Sequence, residues 1–141
     1  MKEQITKQLR RDEGVVSNAY QDSLGYWTIG VGRLIDKRKG GKLRDNEIDF
    51  LLSNDIDEVE EALGARISFY KGLDEARRGV LLNMAFNLGI DGLMAFKNTL
   101  SLVGAGKYKE ASVEMLKSKW ATQVGNRAVR LSKQMATGEW Q

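Results

Sequence analysis

The sequence predicts an α+β fold, with a small antiparallel sheet near the N-terminus and a larger helical body after it. Three observations carry this reading. Residues 19–34 are rich in aromatic and β-branched side chains and are punctuated by glycine, the texture of short strands and turns. From residue 45 onward, apolar residues recur at a 3.6-residue period. The 141 residues include no proline, where average usage of about 5% would supply roughly seven, so helices run without their strongest breaker.

The elements follow in order. Residues 3–12 form a short helix with Ile5 and Leu9 at i,i+4, ended by Gly14. Within 19–34, Tyr20, Tyr26, Trp27, Thr28, Ile29, Val31 and Leu34 favour two or three strands, with a turn near Ser23-Leu24-Gly25. Residues 36–42 (DKRKGGK) read as a basic hairpin end with Gly40-Gly41 at its tip. Ile48, Leu51, Leu52, Ile56, Val59 and Leu63 then mark an amphipathic helix over 45–64, acidic on its outer face, with Gly64 as its stop. So long a helix suggests a strut joining two lobes. Asp74 and Glu75 open the next helix, where acids suit the positive end of the dipole. Its second half, residues 80–86, is apolar except for Asn83 and is therefore expected at the centre of the body, closed by Gly89. Shorter helices are expected at 93–104, 107–117 and 126–136, with Trp120 and Trp140 in the core. The organisation is one domain over 1–141: a first helix (1–12), a β-rich lobe (13–44), an interlobe helix (45–64) and a helical lobe (65–141).

Composition narrows the chemistry. Cysteine and histidine are both absent. That excludes disulfides, thiolate or imidazole metal sites, cysteine nucleophiles and histidine-based triads. Acid–base work falls to carboxylates, Lys or Tyr, and neither a metal nor a cofactor is expected. The N-terminal residues carry charge throughout and no apolar run reaches 18 residues, so neither a signal peptide nor a membrane span is expected. The net charge of +3 is uneven: residues 1–44 sum to +5, residues 45–89 to −6 and residues 90–141 to +4. Basic ends suit a polyanion such as nucleic acid or cell wall, and charge alone does not choose between them.

The stretch EGVVSNAYQDSLGYWTIGVG, residues 13–32, holds the residues able to act. Glu13 stands at the end of the first helix, where the negative end of the dipole disfavours its ionised form. With partial burial it can hold a proton and act as a general acid. Asp22 lies at a strand or turn where solvent keeps it charged. Two carboxylates in unlike settings are what glycosidic cleavage requires: one protonates the leaving oxygen and the other stabilises charge or activates water. The Thr28 hydroxyl is suited to orient that water. A Glu–Asp pair at this spacing is commonplace by itself, and only its aromatic and glycine context makes it specific.

That context resembles the signature of the phage-type lysozymes (endolysins), a glycoside hydrolase family. Glu13-Gly14, Tyr20, Asp22, Gly25 and Thr28-Ile29-Gly30-Val31-Gly32 match at each position. Further matches run through Asn83-Met84-Ala85-Phe86, Phe96-Lys97-Asn98-Thr99-Leu100, Lys117-Ser118-Lys119-Trp120, Asn126-Arg127-Ala128-Val129-Arg130 and Thr137-Gly138-Glu139-Trp140. The resemblance implies a lysozyme-like fold and catalytic roles for Glu13, Asp22 and Thr28. It also implies inverting hydrolysis of the β-1,4 bond between N-acetylmuramic acid and N-acetylglucosamine, with carboxyl groups roughly 6.5–9.5 Å apart. Sugar contacts are implied at Leu34, Phe86, Thr99 and Glu114, and a network behind the acid is implied at Asn83 and Arg127, with Arg127 pairing with Glu13.

Departures from the family pattern matter as well. Arg33 stands where the family has a His whose partner corresponds to Asp55, so an Arg33–Asp55 salt bridge is expected, insensitive to neutral pH because Arg does not titrate. The stretch between Leu34 and Asp45 is short. Glu114 and Thr99 replace Asn and Ser. The implied partner is bacterial peptidoglycan, bound by a monomer with neither nucleic acid nor stable membrane association. The protein would act on the wall from the host cytoplasm after membrane permeabilisation. A non-catalytic wall-binding or virion domain, a basic nucleic-acid module and a lytic transglycosylase are the competing readings. The complete Glu13/Asp22/Thr28 set favours hydrolysis.

Overall fold

The computed structural model describes residues 2–35 and 41–141. The basic hairpin expected at 36–42, including Lys37, Arg38 and Lys39, therefore lies mostly outside the described residues. The chain divides into two compact units, Met1–Leu51 and Leu52–Gln141.

The first unit contains α1 (Lys2–Glu13), β1 (Val16–Gln21), β2 (Trp27–Gly30), β3 (Arg33–Leu34) and the start of α2 (Asp45–Arg66). The strands form one antiparallel sheet in the order β1-β2-β3. Tyr20 pairs with Thr28 and Gln21 with Trp27 across the first hairpin, while Thr28 pairs with Leu34 and Ile29 with Arg33 across the second. Thr28 thus sits mid-sheet. The register shifts between Val16 and Tyr20, which bends β1 away from the straight ladder.

The start of α2 is held by a carboxylate. Backbone N–H groups of Glu47 and Ile48 donate to the Arg44 carbonyl, at 2.9 Å each. Glu47 Oε1 reaches back to accept the Arg44 N–H at 2.8 Å. This is the reciprocal half of a capping box, built without the usual Ser or Thr at the cap. The other oxygen, Oε2, pairs with the Arg33 guanidinium. The Arg44 N–H, opposed by a smaller push from desolvation and reinforced by the Arg33 guanidinium, holds the Glu47 carboxyl below the ordinary carboxylate range.

The second unit contains the rest of α2, a 3₁₀ turn (Tyr70–Gly72), α3 (Glu75–Leu88), α4 (Ile90–Met94), α5 (Lys97–Gly104), α6 (Tyr108–Leu116), α7 (Lys119–Val124) and α8 (Asn126–Thr137). The helix opens at Glu75, and Asp74 caps it, its carboxylate accepting the Arg77 N–H at 3.1 Å. Val80, Leu81, Met84 and Ala85 of α3 are buried. Around them pack Leu63, Tyr70, Leu93, Val103, Met115 and Met135, all fully enclosed. Tyr70 donates to Glu60 Oε1 at 3.4 Å, and burial together with the Glu60 charge pushes its phenol up to about 12.

Two helix boundaries and the burial of one tryptophan differ from the sequence reading. Gly64 does not stop α2, which runs on to Arg66. A β-carbon at Gly64 would stand 2.9 Å from the Lys71 side chain, so glycine admits a close approach there. The helix expected over 93–104 is two helices, because Phe96 leaves helical geometry (φ −78°, ψ 58°) and turns its ring edge-on to Trp120, 6.1 Å between centroids. Trp120 is buried as expected, but Trp140 is 64% exposed. Gly138 ends α8 in the left-handed region at φ 72°, and the returning chain lays the Trp140 indole over the Gly79 backbone from outside.

Removing Leu81, with no exposed surface, by Leu81→Ala should cost about 2–5 kcal/mol in denaturant unfolding. Because the Glu47 carboxyl is depressed in the fold, its stabilisation is present above the ordinary value of 4.5 and lost as pH falls through the lower folded value. Melting temperatures of wild type and Glu47→Gln should therefore differ at pH 6 and converge in stronger acid.

Candidate active site

The site residues of the first unit all belong to, or rest on, the two hairpins. Asp22 forms the turn between β1 and β2. Its Oδ1 accepts the backbone N–H groups of Leu24 and Tyr26, at 2.9 Å each. Its own N–H donates to the Tyr26 carbonyl at 2.8 Å, and Gly25 (φ +83°) closes the turn onto the Asp22 carbonyl at 3.0 Å. Two donors on one oxygen orient the carboxylate and leave Oδ2 outside the turn. Thr28, 3% exposed, donates its hydroxyl to that same Tyr26 carbonyl at 3.1 Å. Tyr26 therefore ties Asp22 and Thr28 together through its backbone. The donated proton leaves the lone pairs of Thr28 Oγ1 to accept.

Glu13 ends α1, as expected, but its side chain is exposed. The partial burial that the sequence reading attached to its acid role is therefore not seen. A β-carbon placed at Gly32 would stand 2.8 Å from Glu13 Oε2, 3.0 Å from Cδ and 3.2 Å from Cγ. The carboxyl thus lies against the bare backbone of the β2–β3 link, and Gly32 has φ +66°, where other residues are strained. Leu34, beside Thr28 in the ladder, is half-buried. Arg33 finds its carboxylate in Glu47, where Asp55 had been expected. Glu47 is already turned toward β3 by its bond to the Arg44 N–H, whereas Asp55 is an exposed residue further along α2.

The second unit places its candidates in two groups. Arg127 donates through Nε to Asn83 Oδ1 at 2.9 Å and through Nη2 to the Asn83 carbonyl at 3.3 Å. The amide expected to need a partner has one. Thr99 and Glu114 line a groove of about 450 Å³ with Phe96, Lys97, Lys117 and Trp120. Thr99 is buried, and the Glu114 carboxylate pairs with Lys117 at 3.1 Å, which offsets the charge it adds. Trp120 Nε1 donates to Asn87 Oδ1 at 2.8 Å, fixing the aromatic side of the groove. Phe86 is not among the residues lining it and is 45% exposed on α3.

A family model for phage lysozymes matches residues 10–136. The chain belongs to the phage lysozyme family. It is 29% identical over 160 residues to a probable T4-type lysozyme 1 of Dictyostelium discoideum, covering 95% of this chain and 94% of that one. A probable T4-type lysozyme 2 of the same organism is 30% identical over 157 residues, covering 92% of each. An endolysin of Acyrthosiphon pisum secondary endosymbiont phage 1 is 27% identical over 109 residues, or 77% of this chain and 73% of that one. As a phage lysozyme, the protein is a glycoside hydrolase of the muramidase type acting on peptidoglycan. Among the described residues no helix is long and apolar enough to cross a membrane, and no cluster of three potential metal ligands occurs.

Two contributors escaped the sequence reading. The Tyr26 backbone carries no side-chain signal. Glu47 had one, the i,i+3 spacing Arg44…Glu47 of a capping box, obscured by an arginine at the cap.

Replacement Gly32→Ala adds a methyl that must displace the Glu13 carboxyl at a backbone angle alanine resists. Its expected outcome is a loss of peptidoglycan-clearing activity of roughly a hundredfold, with the far-UV circular dichroism spectrum retained. Full activity would show that the Glu13–Gly32 contact does not matter to catalysis.

Proposed function

We propose that this phage lysozyme hydrolyses the β-1,4 bond between N-acetylmuramic acid and N-acetylglucosamine by an inverting two-carboxylate reaction. Glu13 protonates the glycosidic oxygen. Asp22 stabilises the developing positive charge and, with Thr28, holds the attacking water. The observation that best supports this assignment is the shared Tyr26 backbone. It orients one oxygen of Asp22 through an N–H and the Thr28 hydroxyl through a carbonyl, leaving a carboxylate oxygen and a hydroxyl lone pair on one hairpin. Preorganised groups of this kind cost no reorganisation when charge develops. Leu34, Phe86, Thr99 and Glu114 are proposed as substrate contacts, with Thr99 and Glu114 supported by their common groove. The pairing of Arg127 with Glu13 that the family resemblance implies is kept as part of this proposal, and the hydrogen bonds of Arg127 to Asn83 bear on Asn83 alone.

The biological setting follows from the chemistry. A wall-cleaving enzyme made inside a host reaches its substrate once the inner membrane is permeable, and its product is lysis. The endolysin among its relatives supports that role. The basic segments, +5 over residues 1–44 and +4 over residues 90–141, would draw the enzyme to an anionic envelope.

Digestion of purified peptidoglycan, followed by mass spectrometry and early-time proton NMR of the new ends, tests the reaction. Wild type should yield reducing N-acetylmuramic acid ends, first as the inverted anomer, and Glu13→Gln should yield none while remaining folded. Anhydro ends would instead indicate transglycosylation, for which an acid alone suffices. Retained stereochemistry would rule out inversion.

A further inference from the structure

The Glu13–Gly32 contact depends on where the β2–β3 link lies, and little in the sheet holds that link. The strand that follows it, β3, is two residues long, with Ile29↔Arg33 and Thr28↔Leu34 as its register pairs. The Ile35 N–H adds one more ladder bond, to the Trp27 carbonyl at 2.8 Å. A strand this short at a sheet edge is weakly determined by its own ladder. Arg33, immediately after Gly32, carries the only ion pair from this strand among the described residues, and that pair leads to Glu47. Glu47 is itself anchored at the first turn of α2 through the Arg44 N–H at 2.8 Å, with Arg44 Nε 3.3 Å from the same oxygen. Arg33 and Arg44 are thus the charged groups facing Glu47.

From this geometry we propose that Glu47 is a positioning residue for catalysis. By strapping Arg33 to the start of α2, it stations Gly32 beneath the Glu13 carboxyl. The inference rests on the assignment of Glu13 as the acid. It is specific to this chain, because it follows from an arginine at position 33 and a helix-capping glutamate that reaches it. Glu47 touches neither the sugar nor the reacting atoms. Its effect is on the frequency with which Glu13 stands in productive geometry, so it should appear in turnover rather than in substrate affinity.

Glu47→Gln isolates the strap. The amide oxygen still accepts the Arg44 N–H, so the helix cap survives, while the charge that holds Arg33 is gone. With soluble peptidoglycan fragments, at a temperature where circular dichroism shows each variant folded, kcat should fall roughly ten- to hundredfold while KM stays near the wild-type value. Arg33→Gln should lower kcat to a similar degree. The double variant should be no worse than either single one, since both remove the same link. A wild-type kcat in Glu47→Gln, an effect confined to KM or to melting temperature, or kcat losses that multiply in the double variant would each overturn the proposal. Glu13→Gln, measured alongside, separates the two claims. If it keeps wild-type turnover, the assignment of the acid fails. If it is inactive while Glu47→Gln is unimpaired, only the positioning role fails.

Discussion

The first unit is organised by a carboxyl group resting on a glycine. An acid at the end of a helix has several rotamers open to it and no fixed direction. Here Glu13 lies so close to Gly32 that a β-carbon there would stand 2.8 Å from its Oε2 and push the carboxyl aside. The missing side chain is therefore a structural component, and the positive φ that glycine tolerates lets the chain turn at that point. The reach of the acid is set jointly by the end of α1 and the link between β2 and β3, and both must hold still for a proton to be delivered.

The opposing carboxylate is fixed by a different device. Asp22 spends one oxygen on the turn it builds, and that turn also supplies the carbonyl that orients Thr28. Turn formation and catalytic geometry thus share the same bonds. Substituting Asp22 removes charge and loosens the hairpin together, so its phenotype mixes the two effects. Glu13 and Glu47 separate them better, since neither forms part of the Asp22 turn. Among its described residues, the first unit relies on hydrogen bonds and on ion pairs centred on Glu47. The second relies on a core of nine large side chains with almost no exposed surface, and the Asn83–Arg127 pair sits partly buried outside that core.

Much of this was legible from local rules. The helix periods, the acidic start of the helix at Asp74-Glu75, the Ser23–Gly25 turn, the glycine-punctuated sheet and the need of Asn83 for a partner all follow from residues near one another in sequence. What could not be read depended on residues brought together by folding. Gly64 looked like a helix stop because its close contact with Lys71 is invisible in one dimension. Phe96 broke a helix to meet Trp120, 24 positions on. Trp140 was placed inside on hydrophobicity, yet the turn at Gly138 carries it outside. The partner of Arg33 was sought by analogy at Asp55, while the nearer Glu47 had already been turned toward it by its own helix cap. Among the site residues, identities were readable and orientations were not, because the orienting groups are backbone atoms of Tyr26 and the absent side chain of Gly32.

The central claim is that the Glu13 carboxyl is seated on Gly32 in the folded protein. It is tested most directly by nuclear Overhauser spectroscopy on protein carrying labelled glutamate and glycine. A strong cross-peak between the Glu13 γ-protons and the Gly32 α-protons, with Gly32 amide and carbon shifts reporting positive φ, is the expected result. A well-resolved spectrum in which Glu13 shows no contact to Gly32, and instead contacts another part of the chain, would contradict the account.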